Sequence, residues 1–163
     1  MGHSLTLQAY LDRFLCEKND MTDCIFCKII SGKIPAEILY ENDHVISLLD
    51  INPIHFGHAL ILPKLHCRDF LDLPSEAYYS ILQAAKIVTN ALVQSLNLEG
   101  YNIFSNNGQI AGQSVFHFHL HVTPRYPDDN IRFVLKLKGY PDGELKRYGA
   151  MIRQHIQQPS AQR

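Results

Sequence analysis

Three histidines stand at alternate positions in the stretch Val115-Phe116-His117-Phe118-His119-Leu120-His121-Val122. In an extended strand successive side chains point to opposite faces, so His117, His119 and His121 line one face while Phe116, Phe118, Leu120 and Val122 line the other. A helix would scatter the rings around its circumference, and the β-branched and aromatic content favours a strand. Three readings of the row are open at this point. The rings could be unrelated surface histidines, could share a metal ion, or could act at phosphorus. For the last, imidazole is a good nucleophile with a pKa near neutrality, and a neighbouring carbonyl can set which nitrogen carries the proton.

The residues just before the row narrow the choice. Gly112 permits a tight turn into the strand, Gln113 offers amide donors and Ser114 a hydroxyl, all of them partners for phosphate oxygens. Gly-Gln-Ser followed by His-φ-His-φ-His-φ, with φ apolar, resembles the signature of the histidine triad (HIT) family of nucleotide hydrolases and transferases. Two further stretches resemble that family: Asp50-Ile51-Asn52-Pro53 as Asp-Ile-x-Pro, and Gly57-His58-Ala59-Leu60-Ile61-Leu62-Pro63 with His66 as Gly-His-x-Leu-x-x-Pro-x-x-His. The similarity runs from about residue 23 to residue 126.

The resemblance implies roles. The nucleoside would sit between Ile25, Phe26 and Ile29 on one side and Asp50 and Ile51 on the other, with the carboxylate accepting both ribose hydroxyl protons. Asn106 would contact the ribose or phosphate region. His119 would attack the α-phosphorus to give a covalent nucleotidyl-histidine that water then hydrolyses, its ring N–H held by the carbonyl of His117. His121, Ser114, Gln113 and nearby backbone amides would neutralise charge on the nonbridging oxygens, and His58 would support the triad from an adjacent strand. Purine nucleoside phosphoramidates, AMP conjugates handled by the Hint-like branch, are the first expected substrates and dinucleoside polyphosphates the second. Transferase relatives resemble His-Pro-His-x-Gln, and this chain has neither that Pro nor that Gln. A metalloenzyme with a catalytic metal on the three histidines, and a nucleotide-binding interaction module without turnover, are the readings from other classes.

Cys24-Ile25-Phe26-Cys27 brings two thiols to one face of a short helix, which by itself suits either a metal pair or two buried thiols. Some bacterial-type HIT proteins carry a structural zinc, and its ligands would correspond to Cys24, Cys27, His66 and His117. A Cys₂His₂ set suits Zn²⁺. No catalytic metal is required. Cys16 and Cys67 are left over as small hydrophobes.

Positioning these groups is the task of an ordinary globular chain. Its 163 residues are 46% hydrophobic and 19% charged, with a formal charge of −1. That is one domain's worth of core, and the balance of charge argues against a broad surface for nucleic acid. No membrane span or signal peptide is indicated; the start fits a loose myristoylation pattern of little weight, and four cysteines with no dense framework, two of them the Cys24–Cys27 pair, suit a reducing cytoplasm better than a disulfide scaffold.

Residues 1–20 are expected to be an extension with an amphipathic helix over 5–17, residues 21–130 the HIT domain, and residues 131–163 a tail with a helix over 142–157. Within the domain the pattern predicts a short helix over 23–31, strands over 37–40, 44–50, 57–63 and 101–105, and a long helix over 74–97. The histidine strand completes an α+β fold, a five-stranded, mainly antiparallel sheet with the long helix on one face and short N-terminal and C-terminal helices. The family implies a homodimer.

Overall fold

The computed structural model describes residues 23–132, 134 and 136–156, so the helix expected over 5–17 lies outside the described residues. Five strands form one sheet: β1 Ile38–Glu41, β2 Val45–Leu49, β3 Ala59–Pro63, β4 Gly100–Phe104 and β5 Leu120–Arg125, in the order β1-β2-β3-β5-β4. Every pairing is antiparallel. Helix α1 (Ile25–Ile30) precedes the sheet, α2 (Ser75–Leu96) joins β3 to β4, and α3 (Glu144–His155) lies in the tail. The chain divides into two compact units, ending and beginning at Asp129 and Asn130.

Strand β3 lies near the middle of the sheet and reads Ala-Leu-Ile-Leu-Pro, with every residue buried. Its run is apolar without alternation because both faces are covered. Ala59 and Ile61 join Val45, Val122, Phe118 and the α2 residues Ile81, Ala84, Ala85, Val88 and Leu92 on one side. Leu60 and Leu62 join Ile46, Leu48 and Phe26 on the other, where α1 packs. Helix α2 is ended by Asn97 in the left-handed conformation (φ 50°), whose N–H donates to the Val93 carbonyl. Among the described residues no helix is long and apolar enough to cross a membrane.

The turn into β3 depends on Gly57. Its φ is +85°, and a Cβ there would stand 2.6 Å from Leu96 Cδ1 and 3.2 Å from Pro124 Cγ. Gly57→Ala is therefore expected to destabilise the fold by about 1–3 kcal/mol, seen as a lower denaturant midpoint with an unchanged slope. Because His58 follows directly, the same substitution should also weaken activity.

The histidine strand begins later than the alternation suggests. Leu120 is the first residue of β5; His117 lies on a bend and His119 in the short irregular segment that leads into the strand. The reason is tertiary: the Phe118 N–H donates to the Cys67 carbonyl at 2.6 Å, drawing the segment away from the ladder with β3. The tail helix is also shorter than its apolar pattern, starting after Gly143 in the left-handed region (φ 82°).

Candidate active site

His58 stands one residue before β3 and His121 is the second residue of β5, which is the neighbouring strand in the sheet. The rings are stacked, and His58 Nε2 lies 2.9 Å from His121 Nδ1. Main-chain chemistry decides where the protons are. The Ile54 N–H donates to His58 Nδ1 at 3.2 Å, so that nitrogen is bare and Nε2 carries the hydrogen. His58 Nε2–H then donates to His121 Nδ1, which leaves the hydrogen of His121 on Nε2. That Nε2–H is buried and has no partner among the described residues. Phe104, opposite His121 in the β4–β5 register, stacks on its other face at 4.7 Å.

His119 is 6% exposed and carries its hydrogen on Nδ1, because its partner there is the His117 carbonyl, to which it donates at 2.7 Å. The bare nitrogen is Nε2. Burial lowers the pKa of His119, outweighing the His117 carbonyl and Asp50, which raise it. Burial likewise lowers that of His121, to about 4, with His119 and His58 acting in the same direction. Both rings are therefore neutral at physiological pH, one presenting a lone pair and the other an N–H. Their ring centroids are 4.8 Å apart. A lone pair beside a hydrogen-bond donor is what attack on a phosphoryl group needs.

His117 faces away from this pair. Its Nε2–H donates to the Pro63 carbonyl at 2.9 Å, so Nδ1 is bare, and burial holds its pKa down to about 4. Nδ1 lies 3.5 Å from Cys24 Sγ and 3.6 Å from Cys27 Sγ, while Cys27 Sγ lies 3.2 Å from His66 Nδ1. All four ligand atoms fall within 4.8 Å of one another. Ligands around a tetrahedral Zn²⁺ at ordinary bond lengths stand roughly 3.3–3.8 Å apart, so the three sulfur–nitrogen separations suit a zinc site. Cys24 caps α1 and Cys27 lies in its first turn, which brings both sulfurs to one end of the helix.

The remaining expected contacts divide. Ile25 and Ile51 are exposed, at 42% and 83%, and Ser114 shares with Ile25 and Cys24 a hollow of about 280 Å³. Asn106 is half-buried against Gly112. Phe26 is buried edge-on to His117 and His119, forming a floor beneath the histidines, and Ile29 packs on the core with it. Asp50 has its Oδ1 on the Asn52 N–H and its Oδ2 3.4 Å from His58 Nδ1.

Gln113 requires a correction. Rather than offering donors to phosphate, its amide hydrogens go to the carbonyls of Arg68 (2.6 Å) and Val115 (3.1 Å), and its oxygen accepts from the Gly108 N–H. It is a buried brace for the loop that carries Asn106 and Ser114. Sequence reasoning also missed Phe104 and the main-chain groups of Ile54 and Pro63. Phe104 was findable from strand register, whereas backbone partners leave no trace in residue type.

Comparison with known proteins agrees with this geometry. The HIT domain matches residues 31–128. The adenylylsulfatase HINT3 of Arabidopsis thaliana is 36% identical over 141 residues, covering 82% of this chain and 70% of that protein. A HIT family protein of Bacillus subtilis superposes with a TM-score of 0.79 at 34% identity, over 84% of this chain and 99% of the other. A zinc-bound histidine triad family protein of Mycobacterium smegmatis superposes with a TM-score of 0.65 at 34% identity, over 83% and 99%. With the domain matched over most of the described core and the triad in place, the chain belongs to the HIT family.

Proposed function

We propose that this protein hydrolyses purine nucleoside phosphoramidates at the α-phosphorus through a covalent adduct on His119. The observation that carries the reading is the pairing of a bare His119 Nε2, held by the His117 carbonyl, with the partnerless Nε2–H of His121. His119 attacks phosphorus; His121 Nε2–H bonds the charge that develops on oxygen or on the departing group. Asp50 accepts ribose hydroxyls, Ile25 and Ile51 cover the base, and Ser114 and Asn106 contact the phosphate and ribose. Gln113 serves these contacts only through the loop it braces. Incubation with an adenosine phosphoramidate, rapid quench at alkaline pH and peptide mass analysis should place an adenylyl group on His119. An adduct elsewhere, or turnover with none, would refute the mechanism. Adenylyl sulfate is a second candidate substrate, favoured by the likeness to the Arabidopsis adenylylsulfatase.

Cys24, Cys27, His66 and His117 would hold a structural Zn²⁺, which when bound cross-links α1, the segment after β3 and the approach to β5. The site is closed by four protein ligands and takes no part in the chemistry.

A homodimer suits the sheet's free edge. Strand β4 ends the sheet, Tyr101 and Ile103 project from it half-exposed, and with Leu82, Ala85, Ile87 and Val93 of α2 they line an apolar groove of about 800 Å³. An isologous pairing of two β4 strands would satisfy both edges and cover both grooves. Ile103→Lys is expected to convert the dimer to a monomer in sedimentation equilibrium.

A further inference from the structure

Asp50 stands where a second role is available to it. Its Oδ1 is fixed by the Asn52 N–H at 2.9 Å, which aims Oδ2 at His58 Nδ1, 3.4 Å away. That nitrogen therefore faces a donor, the Ile54 N–H, and an anionic acceptor at nearly equal distance. His58 is 2% exposed, so the carboxylate acts on it with little screening by water. The charged and titratable groups facing the His58–His121 pair are Asp50 and His119. Burial and His119 both disfavour a proton on the pair, and Asp50 alone favours it.

Resting on the phosphoryl-transfer reading above, we propose that Asp50 is a positioning residue for the reaction: it is the counter-ion that allows the His58–His121 pair to take up one proton and release it to the leaving group. The proton enters at His58 Nδ1, which turns from the Ile54 N–H to the carboxylate. As the bond from His119 Nε2 to phosphorus forms, the phosphorus–nitrogen bond of the substrate breaks and the amine leaves with its electron pair, taking the hydrogen of His121 Nε2. His58 Nε2 passes its own hydrogen to His121 Nδ1, so the pair ends neutral with His58 Nδ1–H facing Asp50. In the second half, water attacks the adduct and gives a proton to His121 Nε2. The hydrogen on His121 Nδ1 returns to His58, and His119 departs from phosphorus with its electron pair. The sum is phosphoramidate plus water giving nucleoside monophosphate plus amine.

Asp50→Asn removes the charge and also disturbs the ribose contact, so the two roles are separated by comparing leaving groups on a shared nucleoside. An alkylamine phosphoramidate of AMP needs a proton on its leaving group, whereas adenylyl sulfate expels an anion that needs none; the ribose is the same. Asp50→Asn is expected to lower kcat/KM for both substrates through the shared ribose contact, and for the phosphoramidate by at least roughly 10-fold more than for adenylyl sulfate. Asp50→Glu, which restores the charge, should recover part of the phosphoramidate rate. Equal losses on both substrates, or no loss on either, would overturn the proposal. Imidazole ¹⁵N spectra of the ligand-free protein give an independent reading: the pH at which the pair becomes protonated should fall by about one unit in Asp50→Asn. An unchanged midpoint would also overturn it. Wild-type protein that turns over neither substrate would sink the hydrolase reading, while the spectra would still decide the role of Asp50.

Discussion

Replacing His119 by glycine should lower turnover of an adenosine phosphoramidate by roughly 10⁴-fold or more and abolish covalent labelling, because no other bare ring nitrogen occupies its place. His117 cannot substitute: its Nδ1 faces two sulfurs and its Nε2 is spent on the Pro63 carbonyl. His121 cannot substitute either, since its Nδ1 accepts from His58 and its Nε2 carries hydrogen. The fold should survive, as His119 precedes β5 and its side chain makes one hydrogen bond among the described residues, to main chain two residues away. The measurement is single-turnover kinetics with a circular dichroism melt on the same sample. Undiminished turnover in this variant would remove the nucleophile from the mechanism.

The second large effect concerns the sulfur pair. Cys24→Ser with Cys27→Ser is expected to eliminate bound zinc, measured by elemental analysis, and to cost several kcal/mol of stability, since a closed zinc site contributes directly to folding. Activity should fall with it. His117 would lose the ion proposed to fix its ring, and its carbonyl is what holds the tautomer of His119. Wild-type protein purified without any metal, yet melting at the same temperature as the double variant, would contradict the assignment.

Much of this was legible in the chain. The periodicity over residues 74–97 marks α2 almost to its caps, because 22 consecutive residues contain no Gly or Pro and Asn97 closes them in a left-handed turn. The strand order and the start of β5 were not legible, since they depend on bonds such as Phe118 to Cys67 that join distant segments. Alternation put the three rings on one face; the structure gives them two directions, His117 toward the sulfurs and the other two toward each other. Gln113 misled for a related reason. Its type suits phosphate, but its partner is the Arg68 carbonyl, 45 residues away in sequence.

The hydrogens on His58, His117 and His119 are set by main-chain atoms, the amide of Ile54 and the carbonyls of Pro63 and His117, and that on His121 is set in turn by His58. Such carbonyls are the same in every amino acid, and such an amide in all but proline. Mutation away from Asp50 and the rings themselves can therefore remodel the walls around the reactive rings, altering which conjugates are admitted, without moving the hydrogens of the neutral site. The scaffold separates evolvable selectivity from inherited reactivity.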